Sequence, residues 1–287
     1  MYLKRVFTLC LLLIVATCVF SQNHLQVHYD YDAMGNANFI ADNYMAVPVF
    51  VVLDFSFLEY ASFSEELPFI KRVEPGTTPL FTIFREPDQP SPHFNIEYKW
   101  YMSHPSPETD SHFPHLIPGR NGSSVKIADI KQLIKSRMVG FDLLNSGKVY
   151  ASRKGVVRNL YENADPRFRM EDSRKQNFIH ILHDDGTIGE YINFKYKGIN
   201  CEIGQKVIPG QELGMAENGP DGYPLIGFGV FHNDLYSENL RYLVPEFYQE
   251  NEGVSQLSVS GEYKVVHPEE LIIKELSRKE RRALKKK

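Results

Sequence analysis

Between about residue 136 and residue 232, glycine recurs at Gly140, Gly147, Gly155, Gly186, Gly198, Gly204, Gly210 and Gly214, with short β-forming runs filling the gaps. A chain punctuated this closely has little room for long helices. Glycine supplies the positive-φ turns that let an extended strand reverse at once. The spacing therefore predicts a compact antiparallel β domain with many tight turns. Composition points the same way, since 16 Tyr and 19 Phe stand against one Trp, and aromatic residues fit a pleated, half-buried surface.

Residues 22–110 predict a separate strand-rich domain. Val47 to Leu53 is a nearly continuous apolar run, as in a strand covered on both faces, whereas Phe94 to Trp100 alternates, as in a strand with one wet face. Glu74-Pro75-Gly76 and Glu86 to Pro90 read as turns. A β-sandwich-like form follows. Residues 111–135 read as a connection, in which Ser123 or Ser124 caps a short helix with Ile127, Ile130 and Ile134 on one face. The portion 233–287 adds strands at Gln256 to Val259 and Tyr263 to Val266, then a short charged helix opened by Pro268 and a basic tail. The expected fold class is mainly β, with two β domains and a short C-terminal helix.

Residues 1–21 read as a signal peptide. Lys4 and Arg5 form the positive start, Val6 to Phe20 is a mostly apolar run of about 15 residues, and Val19-Phe20-Ser21 offers a cleavage site before Gln22. Export to the periplasm or cell envelope is the expectation. Cys18 follows Thr17, a poor context for lipidation, and Cys201 is the one cysteine beyond the leader, so packing rather than a disulfide must hold the domains. Cys201 reads as a small hydrophobe in a core.

Net charge is −4, unevenly spread. Lys274 to Lys287 carries eight basic residues against Glu275 and Glu280, a net of +6; setting that and the two leader cations aside leaves about −12 on the body. An acidic body argues against nucleic-acid binding. The tail reads as a solvated helix end, with peripheral contact to anionic lipid or wall polymer as its functional alternative. His104, Asp110, His112 and His115 cluster in the connection without any fixed ligand spacing, and read as polar surface residues.

Four ordered blocks carry a family resemblance. They are Val139-Gly140-Phe141-Asp142; Gly147 to Val157; Asn177 to Thr187 followed by Glu190-Tyr191; and Gly204 to Val207 with Pro209 to Gly214. Together, over roughly 100 residues, this set resembles the M23 (LytM, lysostaphin-like) zinc peptidase domain. The resemblance implies an antiparallel groove over 136–232 that holds zinc and cuts peptide cross-links of peptidoglycan. Zinc there lowers the pKa of a bound water and polarises the scissile carbonyl, while histidines move protons.

Carried over position by position, the resemblance puts zinc ligands at Met138, Asp142 and Gly227, and the catalytic histidines at Asn193 and Leu225. Only Asp142 matches. The groove-lining candidates are Asp142, Tyr191, Asn193, Leu225 and Gly227. A Met thioether is a poor zinc ligand beside imidazole, and Gly227 has no side chain. Neither zinc nor another cofactor is expected, and the chain reads as a pseudoenzyme that binds peptidoglycan or regulates a cell-wall hydrolase. The alternative is an active zinc peptidase that recruits His183 or His232, or His112 and His115, to Asp142. His180 and His183, three apart on an expected strand, should face opposite sides. A third reading is a structural component whose groove is closed by Leu225 and Met138.

Overall fold

The computed structural model describes residues 24–107, 113–128, 138–164, 176–258 and 261–285. It is mostly strand, with two short helices near the C-terminus. The leader, Asp110, His112, Ile130 and Ile134 lie outside the described residues.

Residues 24–101 form two antiparallel sheets. One orders the strands Leu25–Tyr31, Ala37–Asn43, Gly76–Arg85 and Ala61–Ser62. The other sets Val49–Glu59 between Phe69–Val73 and His93–Tyr101. In Ala37–Asn43 alternate residues are buried, and Ala37, Phe39 and Ala41 meet Val49, Val51 and Leu53 of the other sheet in one core. This is the sandwich the alternation predicts.

The second core sits under a large antiparallel sheet. Its centre runs Gly155–Tyr161, Phe178–Leu182, Ile188–Ile192, Leu225–Asn233, Val139–Leu143, Ser124–Ala128 and Glu262–Lys264. Phe141, Ile179, Ile181, Tyr191, Ile226 and Phe228 fill the inner face. Cys201 is buried at the margin of this core, where burial and then Glu162 push its thiol up to about 11. Phe50 of the sandwich packs on Leu182, Ile188 and Phe231 of the large sheet, so the first sheet pair leans on one end of the second domain's outer face.

Three local expectations are corrected. Ser124–Ala128 is a strand, not the start of a helix: Val125 and Ile127 are buried on either side of exposed Lys126, so the two-residue period of a β-branched run wins over the helical one. Gln256 to Ser258 is not a strand; pairing occurs on either side, at Gly253–Ser255 and Glu262–Lys264. The basic tail is more than a solvated end. Two helices follow Pro268, Glu269–Lys274 and Arg278–Leu284, and the second begins in a reciprocal capping box between Ser277 and Glu280. Leu276 is buried, and Lys154 reaches Glu280 at 3.3 Å. Among the described residues no helix is long and apolar enough to cross a membrane.

Candidate functional site

Register decides what shares a face with Asp142. Val139–Leu143 pairs with Leu225–Asn233 so that Gly140 opposes Gly227 and Asp142 opposes Leu225. Opposed residues in an antiparallel pair point to the same side. Gly140, Asp142, Leu225 and Gly227 therefore share the outer face, and the next strands add Lys126 on one side and Ile192 and Glu190 on the other. Three of the positions assigned by resemblance, Asp142, Leu225 and Gly227, come together here.

Asp142 is 5% exposed, and among the described residues no hydrogen bond reaches its carboxylate. Burial raises its pKa, Asp221 adds to the rise, and Lys126 opposes it. Met138 lies on Gly229. A Cβ at residue 229 would fall 2.7 Å from Met138 Cγ, so only a glycine leaves the thioether chain that place. Leu225 is buried beneath the loop that precedes its strand, where a Cβ at Gly219 would fall 2.9 Å from its Cβ and Cδ2. Leu225 thus stands opposite Asp142, while Met138 lies farther along the same face, over Gly229, with the Gly140–Gly227 pair between them.

Asn193 acts as a clamp. Its φ of 79° lies in the left-handed region, which Asn tolerates better than most residues. Its amide donates to the Leu225 carbonyl at 2.8 Å and to the Glu217 carbonyl at 3.3 Å, while Glu217 N–H donates back to the Asn193 carbonyl at 2.8 Å. Tyr191 is not on the Asp142 face, since its neighbours Glu190 and Ile192 are. It sits in the inner core, 4.9 Å from the Phe228 ring, and its hydroxyl accepts from Ser152 N–H at 2.7 Å. Burial pushes its phenol up to about 12.

The candidate substitute ligands are engaged elsewhere. His180 lies on the outer face, 3.1 Å from Glu190, whose other oxygen accepts from Tyr242 at 2.9 Å. His183, past the end of the same strand, points to the inner side beneath Gly189 and donates from Nδ1 to the Lys154 carbonyl at 2.7 Å. His115 is buried, not a surface residue, and donates from Nδ1 to the Glu246 carbonyl at 3.2 Å; His232 donates likewise to Asn233 at 2.6 Å. A carbonyl only accepts, so Nδ1 carries the proton in each. The Nε2 atoms of His115 and His183 are buried without a partner. Burial lowers His115 to about 4, and burial followed by the charge of Arg153 lowers His183 to about 3.

A zinc ion needs three protein ligands and an open position. The assigned set offers a thioether laid on backbone, one buried carboxylate and a residue without a side chain. These residues do not fit the ion. Among the described residues no three His, Cys, Asp or Glu side chains converge.

The sequence reading missed a buried ion cluster around Arg153, which is 5% exposed. Its guanidinium holds Glu275 through Nε at 3.0 Å and Nη2 at 2.6 Å, holds Asp185 through Nη1 at 2.7 Å, and lies 3.6 Å from the centre of the Phe113 ring. Burial alone would raise the Asp185 acid, but Arg153 and His183 outweigh it and hold it at about 2. The partners are 32 and 122 residues away, so no local pattern announces them.

No family model matches the chain, and no curated protein matches it. Solved structures do. The chain is similar to lysostaphin in solution at 16% identity, covering 47% of this chain and 49% of that one, with a TM-score of 0.28. It is similar to a zinc containing peptidase from Vibrio cholerae at 11% identity, covering 73% and 55%, with a TM-score of 0.28. With Csd3 from Helicobacter pylori the identity is 13%, the coverage 92% and 77%, and the TM-score 0.29. The chain spans about half the length of the lysostaphin structure. Likeness this loose assigns no role to any residue.

Proposed function

We propose that this chain is an exported cell-envelope protein whose M23/LytM-like domain binds peptidoglycan without cutting it. One observation carries the reading: aliphatic Leu225 stands opposite Asp142, Met138 lies over Gly229, and Asn193 is bonded to the Leu225 backbone, so no imidazole stands at any of these positions. A hydrolytic site needs a metal-bound water and a group to move its proton. The residues at these positions are a thioether, an aliphatic chain and an amide, none of which titrates near neutral pH. The leader supports export, and the exposed cations Arg278, Lys279, Arg282 and Lys285, on a helix tied to the body through Lys154, support a peripheral contact with anionic surfaces.

The test is sedimentation with purified peptidoglycan sacculi. Retention of the protein in the pellet, with no soluble fragments appearing, supports the reading; failure to sediment removes it. Regulation of a hydrolase is the second form of the same idea. It predicts that the protein changes fragment release by an added wall hydrolase while releasing none itself.

A further inference from the structure

We propose that the cleft between the strand His93–Tyr101 and the loop 234–239 binds a neutral glycan, an oligomer of N-acetylated amino sugars. This deepens the wall-binding reading and rests on it for the identity of the sugar.

The cleft encloses about 490 Å³ and is lined by Lys99, Trp100, Tyr101, Asn233, Tyr236 and Glu238, among others. That volume suits a small ligand. Tyr236 is 88% exposed, the most exposed large hydrophobic side chain among the described residues, and Trp100 is 37% exposed. Both rings line the same cleft, and ligand clefts are commonly lined by aromatic side chains with a few polar groups.

Hydrogen bonds hold the backbone of the loop and join it to the neighbouring strand. Asp234 accepts from Tyr236 N–H at 2.8 Å and pairs with Arg241, so the loop that displays Tyr236 is braced from below. Beside the cleft, buried Ser103 Oγ accepts from Asn233 N–H at 2.6 Å and donates to Asn233 Oδ1 at 2.7 Å. Tyr101 Oη reaches the Leu235 carbonyl at 3.5 Å. The backbone that carries Tyr236 is held before a ligand arrives, which lowers the cost of binding.

The chemistry of the lining selects the ligand class. The face of an aromatic ring is negative and attracts the polarised C–H bonds on the flat side of a pyranose. Lys99 and Glu238 carry opposite charges, so the cleft presents donors and acceptors but little net field. That suits a polyhydroxylated neutral molecule better than an ion or a charged peptide.

Trp100 is the sole tryptophan of the chain, so tryptophan emission reports on this cleft directly. The experiment titrates the mature protein with the soluble tetramer of N-acetylglucosamine and follows that emission. The expected result is a saturable change whose Kd rises about tenfold in Tyr236→Ala, the loss of one stacking face. The exposed position of Tyr236 should leave thermal unfolding unchanged in that variant. No saturable change, or equal affinity in Tyr236→Ala, overturns the proposal. Sacculi retained without tetramer binding would defeat the cleft and spare the wall-binding reading. Tetramer binding without retention of sacculi would do the reverse.

Discussion

The side-chain amide of Asn193 donates to the backbone carbonyl of Leu225 at 2.8 Å, tying the end of one central strand to the start of its neighbour. These are the two positions at which the family resemblance places proton-moving histidines. In this chain they hold each other in place, and Leu225 stands opposite Asp142 on the next strand.

Replacing Asn193 separates the two parts of its role. Asn193→Ala removes the amide bonds and puts a Cβ-bearing residue without side-chain compensation at a φ of 79°. Asn193→Gly removes the same bonds but accepts the backbone angle. Alanine should cost about 2–4 kcal/mol and glycine about 1 kcal/mol less. Urea denaturation of the two variants measures the order, and an alanine variant no less stable than the glycine one would contradict the clamp.

Stability should fall on mild acidification. Burial holds His115 near 4, well under the ordinary 6.5, and His183 lower still. Below about pH 6.5 the unfolded chain takes up protons that the folded chain refuses, so stability declines as pH drops from there to about 4. For His115 the loss by the end of that window is on the order of 3 kcal/mol. Asp185 does not offset it. Its depressed pKa contributes stability above its ordinary 3.8, which is lost only as pH falls further toward about 2. His115→Asn keeps a donor for the Glu246 carbonyl and should flatten the dependence of urea midpoint on pH between 6.5 and 4. An unchanged slope would count against a buried neutral His115.

Arg153 ties the segment that carries the C-terminal helices to the body through Glu275. Arg153→Ala strands Asp185 and Glu275 without their cation and should destabilise by about 3–5 kcal/mol. Arg153→Lys keeps the charge but not the fork that grips Glu275 through two nitrogens, so it should recover only part of the loss. Hydrogen exchange at Glu269 to Leu284 should accelerate in both. Exchange there that matches the parent protein would show that the tail is anchored by other contacts.

Much of this was legible in the sequence, for identifiable reasons. The sandwich and the antiparallel sheet follow from period-two alternation and from glycine at the turns, which are local signals. Ser124–Ala128 misled because Ile127, Ile130 and Ile134 also fit a helical period, and only pairing with Val139–Leu143 settles which period is used. The placing of Asp142, Leu225 and Gly227 on one face was reachable from motif order. Tyr191 was misplaced because a strand shows a different face at each residue, and register is not written in a single strand. The Arg153 cluster and the Trp100–Tyr236 cleft join parts of the chain more than a hundred residues apart, and no spacing rule reaches that far.

The basic tail gives a prediction of its own. Arg278, Lys279, Arg282 and Lys285 are exposed on a docked segment, and their combined replacement by serine leaves Glu280 and its bond to Lys154 intact. Sedimentation with vesicles rich in anionic lipid should fall severalfold in that variant, and binding by the parent should weaken as salt rises. Equal sedimentation of both proteins would exclude the tail as the contact.

The central claim is that the domain binds and does not cut. The most direct measurement supplies the mature protein with zinc, determines the metal retained after dialysis, and incubates the same sample with purified sacculi. Substoichiometric zinc and no release of peptide fragments are the predicted results. One retained zinc per chain, together with fragment release that a chelator abolishes, would contradict it.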